Sequence, residues 1–449
     1  MSSTVIQALS RVMMLATATS LMLTACAPPA AAPAKPADAK PADTKPAAPA
    51  EASPVTIRVT MWESNEALEP FNNAKVAFEK KFPNIKVQLE PVPQEYGTKL
   101  LAQMAAGNAP DVFQLGDGDV SKYVSKNVVE PLDGYIAQDK FDMGVFFPGI
   151  AKIGQVSGKT YLFTKDYSPL VMYYNKDLLK KAGVEEPKND WTWADFLATA
   201  KKLTVKDGDK VKQWGVMVPN SWGDPLWLRG TAPFIYQNGA DVLSEDGKTA
   251  TGFLNSPATI EAVQFFSDLI VKDKVAPSKA DVAALSGQDL FQTGKVAMLW
   301  TGRWPLKDFK ANKDLKFGTV ALPKNKKAAN AICWAGFAIY AKSANKDAAW
   351  KWLKFVGAEE GATEFAKYAL TAVKSVAEAQ GMTNDEYDKN IVSGFDNVVS
   401  PPEFRQPKFG DCVEKYYKEN MEKVFSGSAD VKTALDTAAK QADDCLAQP

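Results

Sequence analysis

The folded part of the sequence begins with an alternation of strand and helix patterns, which is the strongest constraint on the fold. Val55–Met61, Ile85–Leu89 and Asp111–Leu115 are short, apolar or alternating runs typical of β-strands. Phe71–Phe82 and Tyr96–Ala106 separate them and carry apolar residues at helical spacing. Strands that alternate with helices indicate βαβ units, so we predict an α/β fold with mainly parallel strands.

Later segments extend this α/β pattern. Thr192 and Asp195 form a capping box that predicts a helix as far as Leu203, and Trp214–Val218 is typical of a strand. Amphipathic patterns predict further helices at Ile260–Val271, Lys346–Val356 and Val431–Ala442. The 449 residues are enough for two lobes with separate cores rather than one.

The N-terminus has the features of an export signal. Arg11 precedes the apolar segment Val12–Leu23, which has the length of a signal-peptide core and is short for a membrane span. The sequence Leu23–Cys26 (LTAC) resembles a bacterial lipobox, in which the cysteine is lipidated and becomes the new N-terminus. We therefore expect residues 1–25 to be a lipoprotein signal peptide and Cys26 the lipidation site. Ordinary cleavage that releases a soluble protein is the alternative.

Residues 26–53 are expected to form a disordered linker. The stretch from Ala27 to Pro54 holds eight prolines among alanines and scattered charges, so it has little apolar surface to bury. A lipid followed by such a linker would tether the folded part to the outer face of the cytoplasmic membrane.

The composition excludes several kinds of chemistry. Histidine is absent, which rules out a Ser-His-Asp triad, a Cys-His dyad and histidine-ligated zinc. Because 53 basic and 53 acidic residues balance, we expect no nucleic-acid partner. No metal or other cofactor is expected, since Cys333, Cys412 and Cys445 show no metal-binding spacing. Cys412 and Cys445 could form a disulfide in an exported protein, or remain two separate thiols.

The tryptophans suggest a ligand site. Of eleven, Trp193, Trp214, Trp350 and Trp352 fall within predicted helices or strands and are assigned to packing. Six others stand at strand ends or beside glycine, proline and polar residues: Trp62, Trp222, Trp227, Trp300, Trp304 and Trp334. An indole ring can cover the apolar face of a sugar while neighbouring carboxylates or arginines bind its hydroxyls. Simple packing at a lobe interface is the alternative for each of them.

Several longer motifs resemble the family 1 extracellular solute-binding proteins, the sugar-binding lipoproteins of ABC importers, such as maltodextrin-binding protein. The matching segments are APDVFQLGDGDV (109–120), YYNKDLLKKAGV (173–184), WTWADFLATAKKL (191–203), FQTGKVAMLWTGRW (291–304) and CWAGFAIYAKSANKDAAWKWLKF (333–355). The resemblance implies a type II periplasmic-binding-protein-like clamshell of two α/β lobes with hinge crossovers. It implies residues 54–147 and 335–379 in lobe 1, and residues 148–334 and 380–449 in lobe 2.

The resemblance also implies a function and a site. We expect a monomer that captures a mono- or oligosaccharide in the cleft between the lobes, without catalysis, and delivers it to the permease subunits of an ABC transporter. The implied ligand-binding residues are Trp62, Glu63, Asp117, Asp166, Trp222, Asp224, Trp227, Arg303, Trp304, Trp334 and Arg405. Two alternatives stay open: a surface glycoside hydrolase, which needs only a carboxylate pair, and a binding protein for a peptide or polyamine.

Overall fold

The structure is a computed structural model that describes residues 54–116, 119–147, 150, 152–218, 226–278, 280–282, 286–382 and 384–448. The predicted signal peptide, Cys26 and the linker to residue 53 lie outside the described residues. Within the described part, no helix is both long and apolar enough to cross a membrane.

The strands form two five-stranded sheets and a small hairpin. They are β1 (Val55–Met61), β2 (Ile85–Pro91), β3 (Val112–Gly116), β4 (Gln155–Val156), β5 (Lys159–Thr160), β6 (Phe163–Pro169), β7 (Val171–Asn175), β8 (Val205–Asp207), β9 (Lys210–Met217), β10 (Val296–Thr301), β11 (Phe317–Val320) and β12 (Ile332–Ile339). The first sheet has the order β2-β1-β3-β12-β6 and the second has the order β11-β7-β10-β9-β8, while β4 pairs with β5.

Helices cover both sheets. They are α1 (Glu69–Lys81), α2 (Tyr96–Ala105), α3 (Asp119–Ser125), α4 (Asp133–Gln138), α5 (Lys176–Lys181), α6 (Trp193–Leu203), α7 (Leu228–Gln237), α8 (Pro257–Val271), α9 (Gly287–Gln292), α10 (Leu306–Ala311), α11 (Lys346–Ala358), α12 (Ala362–Ala366), α13 (Lys374–Ala379), α14 (Asp388–Ser393), α15 (Lys415–Phe425) and α16 (Val431–Leu446). Short 3₁₀ turns and a π-helical turn at Phe409–Glu414 complete the regular structure.

Local sequence signals explain where these helices begin and which face they bury. Helix α1 has a proline in its first turn and buries Phe71, Ala74 and Phe78 at helical spacing. The predicted capping box opens α6: the Thr192 hydroxyl accepts a hydrogen bond from the Asp195 amide, and the Thr192 amide donates to the Asp195 carboxylate. The predicted strands and helices between residues 55 and 115 are confirmed, and β1 has the predicted bounds.

The prediction of mainly parallel strands is wrong. In the first sheet β1 runs parallel to β2 and β3, but β12 is antiparallel to both of its neighbours, β3 and β6. In the second sheet only the pair of β9 and β10 is parallel. Strands β7 and β12 follow crossings from one sheet to the other, and βαβ patterns in the sequence carry no information about such crossings. Strand β8 is antiparallel to β9 because the two form a hairpin.

Each sheet with the helices packed on it forms a lobe. Phe71 of α1 contacts Phe337 of the first sheet with ring centroids 5.9 Å apart, and Phe309 of α10 contacts Tyr173 of the second sheet at 5.3 Å. We call these the first and second lobes. Strand β6 lies in the first sheet, whereas the predicted limit after residue 147 assigns it to lobe 2.

The lobes are joined where three chain segments meet around Asn330. Strand β6 passes into β7 through Leu170, whose amide donates to the Asn330 side-chain oxygen at 3.2 Å. The Asn330 side-chain nitrogen donates back to the Leu170 carbonyl at 2.8 Å. The backbone of Asn330 also pairs with Asn397 and Val399. The predicted crossovers between the lobes are therefore present, and hydrogen bonds of the buried Asn330 connect them.

A disulfide joins Cys412 to Cys445 across 33 residues. It connects the π-helical turn at Phe409–Glu414 to the last helix, α16, and so decides between the two possibilities left open by the sequence. In the chain-entropy account a loop of this size contributes about 3.7 kcal/mol to the free energy of unfolding. Cys333 is buried and lies outside this bond.

Candidate functional site

A cleft of about 600 Å³ lies between the two lobes. The first lobe supplies its wall from the residues that follow β1, from β6 and from the start of β12, while the second lobe supplies residues around α10 and the start of α7. Loops and strand ends of this kind are the usual location of ligand sites in α/β proteins. The cleft has the size of a small-molecule site.

Four of the six tryptophans predicted to contact a ligand line this cleft. Trp62, Trp227 and Trp304 are partly exposed, and Trp334 is nearly buried at 4 %. Trp222 lies outside the described residues. For Trp300 the packing alternative holds: this side chain is fully buried in β10 and stacks on Phe234 with ring centroids 4.5 Å apart. It belongs to the core of the second lobe.

Two glycines make room for the indole rings. A Cβ atom at Gly302 would lie 2.0 Å from Cζ3 of Trp304, so only glycine allows this ring to lie against the backbone after β10. A Cβ atom at Gly116, the last residue of β3, would lie 3.1 Å from Cη2 of Trp62. The contact at Gly302 explains why the motif FQTGKVAMLWTGRW (291–304) has a glycine at position 302, two residues before Trp304.

The ring of Tyr96 packs against the ring of Trp62. The two rings meet edge to face with centroids 5.4 Å apart. The Tyr96 hydroxyl donates to the carbonyl of Gln114 at 2.8 Å, and the Gln114 amide donates to that hydroxyl at 3.0 Å. Burial raises the pKa of Tyr96 well above its ordinary value, so the hydroxyl stays protonated and this arrangement persists at any physiological pH.

Two of the predicted carboxylates, Glu63 and Asp166, meet at the cleft wall of the first lobe. The ammonium group of Lys165 lies 3.3 Å from Oε1 of Glu63 and also pairs with Asp166. The side-chain amide of Gln114 donates to the same Glu63 oxygen at 3.0 Å. Predicted site residues Asp117 and Asp224 lie outside the described residues.

A charged contact spans the cleft between the lobes. Lys307 of α10 donates to Glu69 at the start of α1, at 2.6 Å, and to the Tyr368 hydroxyl at 2.5 Å. These bonds raise the pKa of Lys307 to about 12, the contact with Glu69 being the larger cause. The hydrogen bond from Lys307, followed by that from Tyr368, lowers the pKa of Glu69. The contact can exist only while the two lobes are close together.

The two predicted arginines do not line the cleft. Arg303 is 7 % exposed, and its guanidinium forms two hydrogen bonds with Asp388, at 2.5 and 2.8 Å. Arg405 pairs with Asp241 at 2.7 Å, within the second lobe. Both predictions are therefore corrected, because each guanidinium is already engaged by a protein carboxylate.

Lys165 and Lys307 line the cleft but were missed by the sequence analysis. The position of Lys165 immediately before the predicted Asp166 was one available signal, since Lys165 is the one charged residue at a buried position of β6. Lys307 is one of several lysines on exposed helix surfaces, and nothing in its neighbourhood distinguishes it. Its partners lie 238 and 61 residues away in the sequence.

A comparison with known protein families identifies the family of the chain. The family model described as bacterial extracellular solute-binding protein matches residues 62–363. The chain belongs to this family. Among solute-binding proteins, it is 24 % identical over 395 residues to the galactooligosaccharide-binding protein of Bacillus subtilis (strain 168), covering 86 % of this chain and 88 % of the relative.

Two solved structures of solute-binding proteins are similar along most of the chain. The ABC substrate-binding protein from Listeria monocytogenes in complex with cycloalternan has a TM-score of 0.79 and 28 % identity, covering 88 % of this chain and all of the other. The GacH receptor of Streptomyces glaucescens, solved unliganded and with acarbose, has a TM-score of 0.73 and 26 % identity, covering 87 % and 97 % of the two chains. The predicted family and two-lobed α/β fold are thus confirmed.

Proposed function

We propose that this solute-binding protein captures a carbohydrate in the cleft between its lobes and delivers it to the permease of an ABC importer. The observation that carries the proposal is the cleft itself, which is lined by Trp62, Trp227, Trp304 and Trp334 together with the carboxylates of Glu63 and Asp166. Stacked rings and hydrogen-bonding carboxylates match the apolar faces and hydroxyl rims of sugars. The ligands named for the three relatives, all saccharides or saccharide analogues, support the same class.

The mechanism is closure of two lobes on the solute. A ligand held by tryptophans from both lobes stabilises the closed arrangement, because only that arrangement makes all the contacts at once. The contact between Lys307 and Glu69 would add to the stability of the closed form. The permease then recognises the surface that closure creates. We propose that binding alone, without catalysis, is the activity.

The volume of this cleft does not by itself distinguish it from other cavities of the protein. Two other cavities, of about 700 and 780 Å³, lie on the described part of the chain. The first is lined by first-lobe residues such as Tyr135 and Lys351, and the second by second-lobe residues such as Trp214 and Phe425. Neither lies between the lobes, so closure could not act on a ligand there.

A thermal-shift screen tests the carbohydrate proposal. Neutral gluco-, galacto- and manno-oligosaccharides of two to four units are compared with peptides and polyamines, each at millimolar concentration. A sugar present at 100 times its Kd is expected to stabilise the folded state by about 2.7 kcal/mol. If only peptides or polyamines raise the melting temperature, the ligand class is wrong. If the sugar is consumed and new reducing ends appear, the protein is a hydrolase instead.

We also propose that Cys26 carries a lipid and that residues 26–53 tether the folded part to the outer face of the cytoplasmic membrane. The lipobox-like sequence before Cys26 and the proline-rich composition of the linker support this. In detergent partitioning of cell extracts, the wild-type protein is expected in the detergent phase and a Cys26→Ser variant in the aqueous phase. Equal partitioning of the two forms would contradict lipidation.

A further inference from the structure

Lys165 holds two carboxylates of the cleft together. It is 5 % exposed, and its ammonium group contacts Glu63 and Asp166. The same group lies 5.7 and 5.4 Å from the ring centroids of Phe71 and Phe365. Burial lowers the pKa of Lys165, but the charges of Asp166 and Glu63 outweigh it, so that the pKa lies above its ordinary value. Lys165 is therefore a fixed cation at physiological pH.

The charges at the cleft leave no cation for an anionic ligand among the described residues. Lys165 and Lys307 are the ammonium groups in its lining, against the carboxylates of Glu63, Asp166 and Asp308. Lys165 is shared by two of these carboxylates, and Lys307 is bound by Glu69 and Tyr368. With its two carboxylates ionised, the group of Glu63, Lys165 and Asp166 has a net charge of minus one. A phosphate or carboxylate brought next to it would be repelled.

One carboxylate oxygen at this wall lacks a donor. Oε1 of Glu63 accepts from Gln114 and lies beside Lys165, but Oε2 is buried and has no hydrogen-bond partner in the described part of the chain. A buried carboxylate oxygen without a donor is costly. The Glu63 side chain is 15 % exposed, so a turn of its carboxylate towards the cleft would let a ligand hydroxyl supply the missing donor and gain a charge-assisted hydrogen bond. An anionic group without a proton could not.

On the basis of the carbohydrate-binding function proposed above, we propose that Lys165 is a positioning residue that keeps Glu63 and Asp166 side by side. The cleft is thereby committed to uncharged, hydroxyl-donating sugars, and phosphorylated or carboxylated sugars are excluded. The selectivity resides in the arrangement of these three side chains. The tryptophans contribute affinity to either kind of sugar, since an indole ring can stack on both.

The selectivity is tested with matched neutral and anionic probes. The neutral oligosaccharide that stabilises the protein most in the thermal-shift screen is compared by calorimetry with its uronic-acid and phosphorylated analogues. The wild-type protein is expected to bind the anionic analogues at least 100-fold more weakly. Anionic analogues that bind within threefold of the neutral sugar would overturn the inference but leave carbohydrate binding intact. A protein that binds neither kind contradicts the proposed function itself.

The role of Lys165 is tested through the pH dependence of binding. In Lys165→Met the two carboxylates repel each other, and a shared proton is the remaining way to hold them together. Affinity for the neutral probe is therefore expected to fall more than tenfold at pH 8 and to recover as the pH is lowered to 5, whereas the wild type stays flat. The double variant Lys165→Met with Glu63→Gln removes the repulsion and is expected to lose this pH dependence.

Lys346→Met is the matched control. It removes another partly buried lysine, paired with Glu130 at 2.9 Å on the first lobe and away from the cleft. It is expected to bind the probe with wild-type affinity and a flat pH profile. Thermal unfolding of each variant, measured without ligand, establishes that it is folded. A folded Lys165→Met protein with a flat pH profile and wild-type affinity would overturn the positioning role.

Discussion

Replacement of Trp304 by alanine is expected to weaken carbohydrate binding by roughly 70-fold. Trp304 is partly exposed and lines the cleft from the second lobe, while Trp62 and Trp334 line it from the first. If a sugar covers about 100 Å² of the indole, the lost burial amounts to about 2.5 kcal/mol, which corresponds to a factor of this size in Kd. Isothermal titration with the best neutral sugar measures it directly.

Two further variants show whether the affinity depends on the position of the Trp304 ring or only on its area. Gly302→Ala keeps the indole but forces it off the backbone, because the new Cβ atom would lie 2.0 Å from Cζ3 of Trp304. Its affinity is expected to fall between those of the wild type and Trp304→Ala. Trp214→Ala removes a tryptophan outside the cleft, in β9, and is expected to bind normally if folded. Wild-type affinity in a folded Trp304→Ala protein would exclude this ring from the site.

Asp388→Asn is expected to lower the free energy of unfolding by about 3 to 5 kcal/mol. The side chains of Arg303 and Asp388 are only 9 % and 3 % exposed, and the guanidinium also donates to the carbonyl of Ala366 at 3.2 Å. Removal of the carboxylate charge leaves Arg303 buried without a compensating charge. Denaturant unfolding, monitored by circular dichroism, gives the change in stability.

Asp411→Asn is the control for burial. Asp411 pairs with Lys122 at 2.8 Å, but its side chain is 54 % exposed. Exposed ion pairs contribute about 0 to 1 kcal/mol, so this variant should unfold almost like the wild type. Joint replacement of the buried pair, Arg303→Met with Asp388→Leu, is expected to recover much of the lost stability. Equal stability of Asp388→Asn and Asp411→Asn would contradict the importance assigned to burial.

The sequence predicted local structure well because its signals are local. The bounds of β1 follow from its own residues, and the start of α6 follows from Thr192 and Asp195, three positions apart. The residues of a strand do not show in the same way which other strands it pairs with. Strand β12 joins the first sheet between β3 and β6, more than 150 residues after either strand in the sequence, and no periodicity in its residues indicates that position.

The site was predicted only in part, because contacts between residues distant in the sequence decide which side chains reach the cleft. Trp300 and Trp304 have similar neighbours in the sequence, yet one lies in the core of the second lobe and the other in the cleft. What separates them is the end of β10 at Thr301, which keeps Trp300 inside the strand; the sequence did not define this end as it defined the bounds of β1. Arg303 was misassigned because its partner Asp388 is 85 residues away. Nothing near Arg303 in the sequence shows that its charge is already neutralised.

The meeting point at Asn330 also limits how the protein can be divided for engineering. The first sheet combines strands from before Leu170 with β12 from after Asn330. All strands of the second sheet lie between these two residues, but the helices α15 and α16 that pack in the second lobe come after Asn330. No continuous fragment of the chain therefore contains one complete lobe alone. A chain cut near either residue would separate β12 from β3 and β6, with which it must pair, and the fragments are expected to be insoluble. Reporter domains intended to sense the solute are better inserted at exposed turns, such as the one between β8 and β9 at Gly208, than appended to an isolated half.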